Sequence, residues 1–297
     1  MNAIVIRSLT KDYGQHNGIF DLDLEVRRGE AFGLIGPNGA GKTTTLRLLM
    51  DLVRPTAGTA SMLGMDTRRE GVAIRRLTGY VPGELPEYPN HTGGRILDLL
   101  AHLRGGVESA RISDLAERLG LDLHRKYREY SHGNKQKVWL IQAFMHDPQL
   151  LILDEPTNGL DPLMQQTFQT LVHLAMDRGA TVLLSSHLLP EVQEICDRIA
   201  VVHEGTLRTV GTMDELRIGN VHRVDATVET EVDGKRISSI PGTADVTVTD
   251  HHVRCTMTGT MEPLLEVLQE ARVISLDSIE MSLEEVFLSQ YGQPAQS

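Results

Sequence analysis

Directly behind the apolar run Ala31-Phe-Gly-Leu-Ile35 stand eight residues, Gly36-Pro37-Asn38-Gly39-Ala40-Gly41-Lys42-Thr43, that fit the pattern G-x-x-x-x-G-K-[ST]. After them Leu46, Leu49, Met50 and Val53 recur at helical spacing, so the local order is strand, glycine loop, helix. That order is the context the motif requires, and it points to an α/β core. Glycines let successive backbone N–H groups turn inward, which is how such a loop surrounds phosphate oxygens. Lys42 then neutralises the terminal phosphates, and Thr43 holds Mg²⁺.

A second apolar run, Leu150-Leu-Ile-Leu153, ends on Asp154 and Glu155. An aspartate at the end of a buried strand completes a magnesium shell, and a glutamate one residue on polarises an attacking water. Alone, such a pair is more often a solvated strand end. The loop upstream, and His187 downstream behind Thr181-Val-Leu-Leu184 and Ser185-Ser186, reverse that reading in favour of nucleotide hydrolysis.

A chain of 297 residues holds one large or two modest domains. No stretch approaches the roughly 20 apolar residues that cross a bilayer, and the N-terminus lacks a basic-then-apolar leader pattern. A soluble, cytoplasmic protein is expected. Two cysteines far apart, Cys196 and Cys255, build neither a disulfide framework nor a zinc cluster and read as small buried hydrophobes. A net charge of −11 disfavours a broad nucleic-acid face, and from Val221 onward thirteen acidic residues oppose five basic ones. Adjacent strand residues point to opposite faces, so His251-His252 is read as structural or solvent-facing, not metal-binding.

Ala3-Ile-Val-Ile6 and the alternation Leu22, Leu24, Val26 read as strands. Ile96 to Gly120 reads as two amphipathic helices split by Gly105-Gly106, a helical subdomain inserted into the core. Val138 to Phe144 is another helix, broken by Asp147-Pro148. Past about Gly211 the pattern turns to β-branched alternation over Val224, Ala226 and Val228, Val246 and Val248, and Val253, Cys255 and Met257. A helix from Pro263, a strand from Val273 to Ile279 and a capping box at Ser282-Leu-Glu-Glu285 complete a small α+β domain. The polar end after Tyr291 reads as frayed.

Over about the first 215 positions these residues resemble the ATP-binding cassette family. Tyr13, in Lys11-Asp-Tyr-Gly14, stands where the family stacks an aromatic on adenine. Gly36 to Thr43, with Thr44, matches the phosphate loop, and Tyr130-Ser131-His132-Gly133-Asn134 resembles the signature L-S-G-G-Q. Leu150 to Glu155 matches the magnesium strand, Gly159-Leu-Asp161-Pro162 the dimer-contact loop, and His187 the switch histidine. The resemblance implies a P-loop NTPase cassette at 1–215, with a helical subdomain at about 90–148 and an accessory α+β domain at 216–297. It implies ATP and Mg²⁺ as cofactors and a head-to-tail dimer, expected as a homodimer, in which Ser131 and Gly133 serve the partner's ATP. The helix dipole at the start of the signature helix suits that phosphate. Glu155 then polarises the water, His187 touches the γ-phosphate, and Asp161 links the two sites.

The signature departs from the family at Tyr130, His132 and Asn134. After Gly79-Tyr-Val-Pro82 the family's magnesium-contacting glutamine is absent, and Gly83-Glu84 stands there, with Glu84 as a substitute ligand one residue on. The ending Ser282-Leu-Glu-Glu-Val-Phe-Leu288 is similar to the extra domain of bacterial exporter ATPases for drugs and other amphiphiles. The resemblance therefore implies an ATPase subunit at the cytoplasmic face of the membrane, driving a separately encoded permease that meets Tyr80 to about Arg95. One rival is a soluble cassette ATPase acting on a cytoplasmic macromolecular complex, which usually carries two cassettes or a long coiled-coil insertion. A second rival, a regulatory module using ATP as a structural ligand, is opposed by intact Glu155 and His187.

Overall fold

The computed structural model describes residues 1–15, 17–216 and 221–281. The chain divides into two compact units, 1–210 and 211–297. The first opens with β1 (Asn2–Asp12) and β2 (Gly18–Arg27), then β3 (Ala31–Ile35), which feeds the glycine loop and α1 (Lys42–Leu49). Next come β4 (Ala57–Met62), β5 (Met65–Asp66), α2 (Gly71–Leu77) and β6 (Thr78–Val81). Helices α3 (Gly93–Leu103), α4 (Ser109–Arg118) and α5 (His132–Phe144) follow before β7 (Leu150–Asp154). The unit closes with α6 (Pro162–Asp177), β8 (Thr181–Ser186), α7 (Leu189–Ile195), β9 (Arg198–His203) and β10 (Thr206–Gly211).

Two sheets result. An antiparallel one runs β2-β1-β4-β5, and the central one runs β10-β9-β3-β8-β7-β6. In the central sheet β9, β3, β8, β7 and β6 are parallel neighbours. Every residue of β3, β7 and β8 is buried, as a parallel strand covered on both faces requires. Alternation then sorts the side chains. Leu150, Ile152 and Leu183 join Ile4, Leu22 and Leu46 in one core, while Leu151, Leu153, Val182 and Leu184 meet Phe144, Phe168 and Val172 in the other. Each such fully buried side chain contributes roughly 1.5–3 kcal/mol.

Helix α1 stops at Leu49, so Val53 lies outside it. The cause is local: Asp51 takes a left-handed conformation (φ 56°), and the N–H groups of Asp51 and Leu52 bond back to the carbonyls of Leu48 and Arg47 at 3.1 and 2.9 Å. That is the Schellman closure of a helix end. Helix α5 begins at His132, six residues before Val138, because the Ser131 hydroxyl caps it by accepting from Asn134 N–H at 3.3 Å.

The second unit holds α8 (Met213–Leu216), β11 (Val221–Val228), α9 (Gly234–Ser238), β12 (Thr243–Thr249), β13 (His252–Thr258), α10 (Glu262–Glu270) and β14 (Val273–Glu280). Its antiparallel sheet runs β12-β13-β11-β14. Val224, Ala226, Val228, Cys255 and Met257 face Ile237, Leu264 and Leu268 of the helices in one core. Both thiols are free, Cys255 in this core and Cys196 only partly buried in the first unit. His251 sits in the turn after Asp250 (φ 51°), so only His252 is on a strand, its Nδ1 3.2 Å from the Thr227 hydroxyl. The helix expected from Ser282 and the frayed end after Tyr291 lie outside the described residues.

Candidate active site

The parallel register assembles the site. Asp154 pairs with Ser185 across β7 and β8, and Ile35 pairs with Ser186 across β3 and β8. The glycine loop, Asp154-Glu155 and Ser186-His187 therefore leave the sheet side by side at its carboxyl edge, where open α/β sheets bind ligands.

Lys42 is buried, and its ammonium donates to the Gly36 carbonyl at 2.7 Å and the Pro37 carbonyl at 3.3 Å. It also lies 3.5 Å from Glu155 Oε1. Helix α1 has no side-chain cap, which leaves its first N–H groups to an incoming anion. Loop residues Pro37 to Thr44 line one cavity together with Asn17, Gly18 and Glu155. Tyr13 is 52% exposed, carries the Lys11 ammonium 5.0 Å from its ring centre, and is tied to the cavity by its N–H bond to the Asn17 carbonyl at 2.8 Å.

The Thr43 hydroxyl donates to Asp154 Oδ1 at 3.1 Å, and Ser185 Oγ donates to the same oxygen at 2.6 Å. Asp154 is fully buried, and its other oxygen, Oδ2, has no partner. An orphaned carboxylate oxygen beside a hydroxyl is the donor set of a hard cation such as Mg²⁺, which takes few protein ligands and completes its shell with water and phosphate. These residues fit that ion.

Glu155 follows the strand in a left-handed conformation, φ 49°, and its N–H is held by the Ser185 carbonyl at 3.1 Å and Ser185 Oγ at 3.3 Å. A non-glycine residue held there carries backbone strain on the order of 1–3 kcal/mol. The strain turns the carboxylate toward His187, whose Nδ1 is 2.7 Å from Glu155 Oε2. Glu155 is thus held between an ammonium and an imidazole.

Glu84 is placed differently. Its carboxylate is exposed and paired with Arg47 on α1 at 3.1 Å, with no bond to Thr43 or Asp154. Gly83 stands where the glutamine is missing, and a Cβ there would lie 2.7 Å from Asp154 Oδ2, so a side chain at this position requires the Asp154 carboxylate or the segment itself to move. Nearby, the Tyr80 phenol is pushed up to about 12, first by burial and then by the charge of Asp154.

The Ser131-His132-Gly133 segment packs on the turn at Gly159. A Cβ on Gly133 would lie 2.4 Å from the Gly159 carbonyl, and one on Gly159 would lie 2.5 Å from the His132 ring. Ser131 is exposed, and neither it nor Gly133 lines the cavity of the glycine loop. Asp161 caps α6, accepting from Met164 N–H at 3.0 Å.

Three polar residues close to this site make contacts that the motifs do not report. Gln136 is buried in α5 and donates to the Pro156 carbonyl at 2.8 Å and the Glu155 carbonyl at 3.5 Å, tying α5 to Glu155. Ser185 holds both Asp154 and Glu155. Glu191 is buried on α7 against Ser186. Gln136 and Glu191 stand among other polar residues of their helices, so nothing in the sequence singles them out before the fold is known.

Residues 19–158 match the protein-family model described as "ABC transporter". The chain is 37% identical over 224 residues to the bacitracin transport ATP-binding protein of Enterococcus faecalis, covering 74% of this chain and 71% of that one. It is 36% identical over 304 residues to a daunorubicin resistance ATP-binding protein of Streptomyces coeruleorubidus, covering 98% and 96%. A solved structure described as the ATP-binding subunit of an ABC transporter matches with a TM-score of 0.65 at 32% identity, covering 72% of this chain and 92% of that one. Another, described as a dimeric bacterial ABC transporter cassette, has a TM-score of 0.65 at 23% identity, covers 71% and 98%, and bears on the fold alone.

Proposed function

This chain belongs to the ABC transporter family as an ATP-binding, ATP-hydrolysing subunit, and we propose that Glu155 is the base of that hydrolysis and acts within a composite, two-subunit site. The observation that carries the proposal is the clamp on Glu155, between Lys42 at 3.5 Å and His187 at 2.7 Å, at the mouth of the glycine loop. Glu155 takes the proton of an attacking water, and its αL backbone holds the carboxylate at the cavity. Lys42 and the free N–H groups of α1 bind the terminal phosphates. His187 steadies the γ-phosphate from the opposite side of Glu155. Thr43 and Asp154 hold Mg²⁺, which when bound neutralises phosphate charge. Glu84 is a less suitable ligand than the orphaned Asp154 oxygen, because Arg47 holds it in solvent.

The exposed Ser131, outside its own chain's cavity, supports a head-to-tail arrangement in which a second copy's signature covers the nucleotide. The 82–91 segment, anchored by Leu85 and Tyr88 on the helical core and by the 2.7 Å pair of Glu87 with Lys135, suits contact with a separate permease at the cytoplasmic membrane face. Among the described residues no helix is long and apolar enough to cross a membrane, in keeping with that division of labour. The relatives' names, with bacitracin and daunorubicin in them, favour amphiphilic antibiotics as cargo. Inside-out vesicles holding the chain with its neighbouring permease should accumulate such a compound only with hydrolysable ATP. ATP-independent accumulation, or none for any amphiphile, would contradict the export reading.

A further inference from the structure

Glu191 has no part in the chemistry described above, yet it is a buried carboxyl within reach of both loops that flank the site. It lies on α7, 7% exposed. Ser186 Oγ donates to its Oε2 at 2.6 Å and accepts the Leu188 N–H at 3.0 Å. One hydroxyl therefore fixes the turn that carries His187, and Glu191 fixes that hydroxyl. On the other side the buried Thr157 hydroxyl, two residues past Glu155, faces the same carboxyl, while Oε1 is left with no partner within hydrogen-bond distance.

We propose that Glu191 is a positioning residue of the hydrolytic site, joining the Ser186-His187 turn to the segment after Glu155 so that His187 and Glu155 keep their mutual placement during turnover. The proposal rests on the reading of Glu155 and His187 given above. Direct contact already exists between those two side chains, but both are at least partly exposed and free to part when phosphate enters. Glu191 works from behind, through buried groups. Burial raises its titration to about 7 against the Ser186 and Thr157 hydroxyls, which favour the carboxylate; the Glu155 charge adds to the rise and His187 opposes it. At the end of α7 the Cys196 thiol and the Asp197 carboxylate face the same region. An ionised Glu191 would set a second buried negative charge behind Glu155. Turnover should therefore decline as pH rises through about 7.

The test compares steady-state ATP hydrolysis and equilibrium ATP binding for wild type, Glu191→Gln, Glu191→Ala, Thr157→Val and Glu155→Gln from pH 5.5 to 9. Glu191→Gln mimics the neutral acid in shape and hydrogen bonding. It should keep most of the turnover while losing the decline above neutrality. Glu191→Ala should lower kcat about tenfold or more, as loss of placement does, with the KM for ATP little changed. Thr157→Val should lower kcat in the same sense and add little on top of Glu191→Ala. A folded Glu191→Ala with wild-type kcat and pH profile would overturn the proposal. If Glu191→Ala does not fold, an unchanged pH decline in Glu191→Gln overturns it instead. Hydrolysis by Glu155→Gln at the wild-type rate would remove the underlying reading, and this inference with it. A dead Glu155→Gln beside wild-type-like Glu191 variants would remove this inference alone.

Discussion

Glu155 Oε2 and His187 Nδ1 lie 2.7 Å apart, although 32 positions separate them in the chain. The register between β7 and β8 brings them together, and the left-handed backbone at Glu155 turns its carboxylate onto the imidazole. With Lys42 on the other carboxylate oxygen, the Glu155 carboxylate is held by two cationic or polar neighbours.

Lys42→Ala removes the buried ammonium that bridges the Gly36 and Pro37 carbonyls and faces Glu155. Charge-assisted bonds contribute about 1.5–3 kcal/mol each, so ATP affinity should fall on the order of ten- to a hundredfold. Equilibrium binding of ATP measures this. An unchanged Kd would contradict the phosphate role of the loop.

Asp154→Asn keeps the bonds to Thr43 and Ser185 but weakens the orphaned Oδ2 as a cation ligand. The Mg²⁺ concentration that half-saturates nucleotide binding should rise about tenfold or more. A Mg²⁺ titration of binding, read without turnover, tests it. Glu84→Gln should leave that titration unchanged, since Glu84 is spent on Arg47.

Much of this site is legible in the sequence, because its motifs are local. Gly36 to Thr43 needs only a strand before it and a helix after it, and Asp154-Glu155 needs only a buried run. Gln136 and Glu191 are silent, and Ser185 is visible only as the lead-in to His187, because their partners lie 19 to 31 positions away or on an adjacent turn formed only once α7 is folded. The sequence also marks Gly83 as a departure without explaining it. What the fold adds is tertiary: the chain passes so close to the Asp154 carboxylate that a Cβ at Gly83 would lie 2.7 Å from Oδ2. Similarly, Val53 continues the helical spacing, yet Asp51 ends α1 by a backbone conformation that periodicity does not report.

His146 gives a pH signature of the fold. Burial and the charge of Arg104, whose guanidinium is 2.8 Å from His146 Nε2, lower it from the ordinary histidine value of 6.5 to about 4. The unfolded chain then binds more protons than the folded one between these values. Stability is full above about pH 6.5 and declines as pH falls toward 4, by about 3 kcal/mol over the window. Denaturant unfolding of His146→Gln should lack that part of the acid loss. An identical pH dependence would contradict the neutral, buried histidine.

Glu191 acts with the opposite sign. Its folded value, about 7, is above the ordinary glutamate value of 4.5, so the folded state holds the proton more tightly and stability declines as pH rises across that range. The midpoint difference between Glu191→Gln and wild type should therefore shift in favour of the variant from pH 5 to 8. A constant difference would mean that the carboxyl is ionised throughout.

The most direct measurement is ATP turnover and ATP binding on one preparation of Glu155→Gln. Turnover should fall by about a hundredfold or more, as loss of a general base does, while ATP is bound as tightly as by wild type and two copies associate around it. Hydrolysis at the wild-type rate would contradict Glu155 as the base.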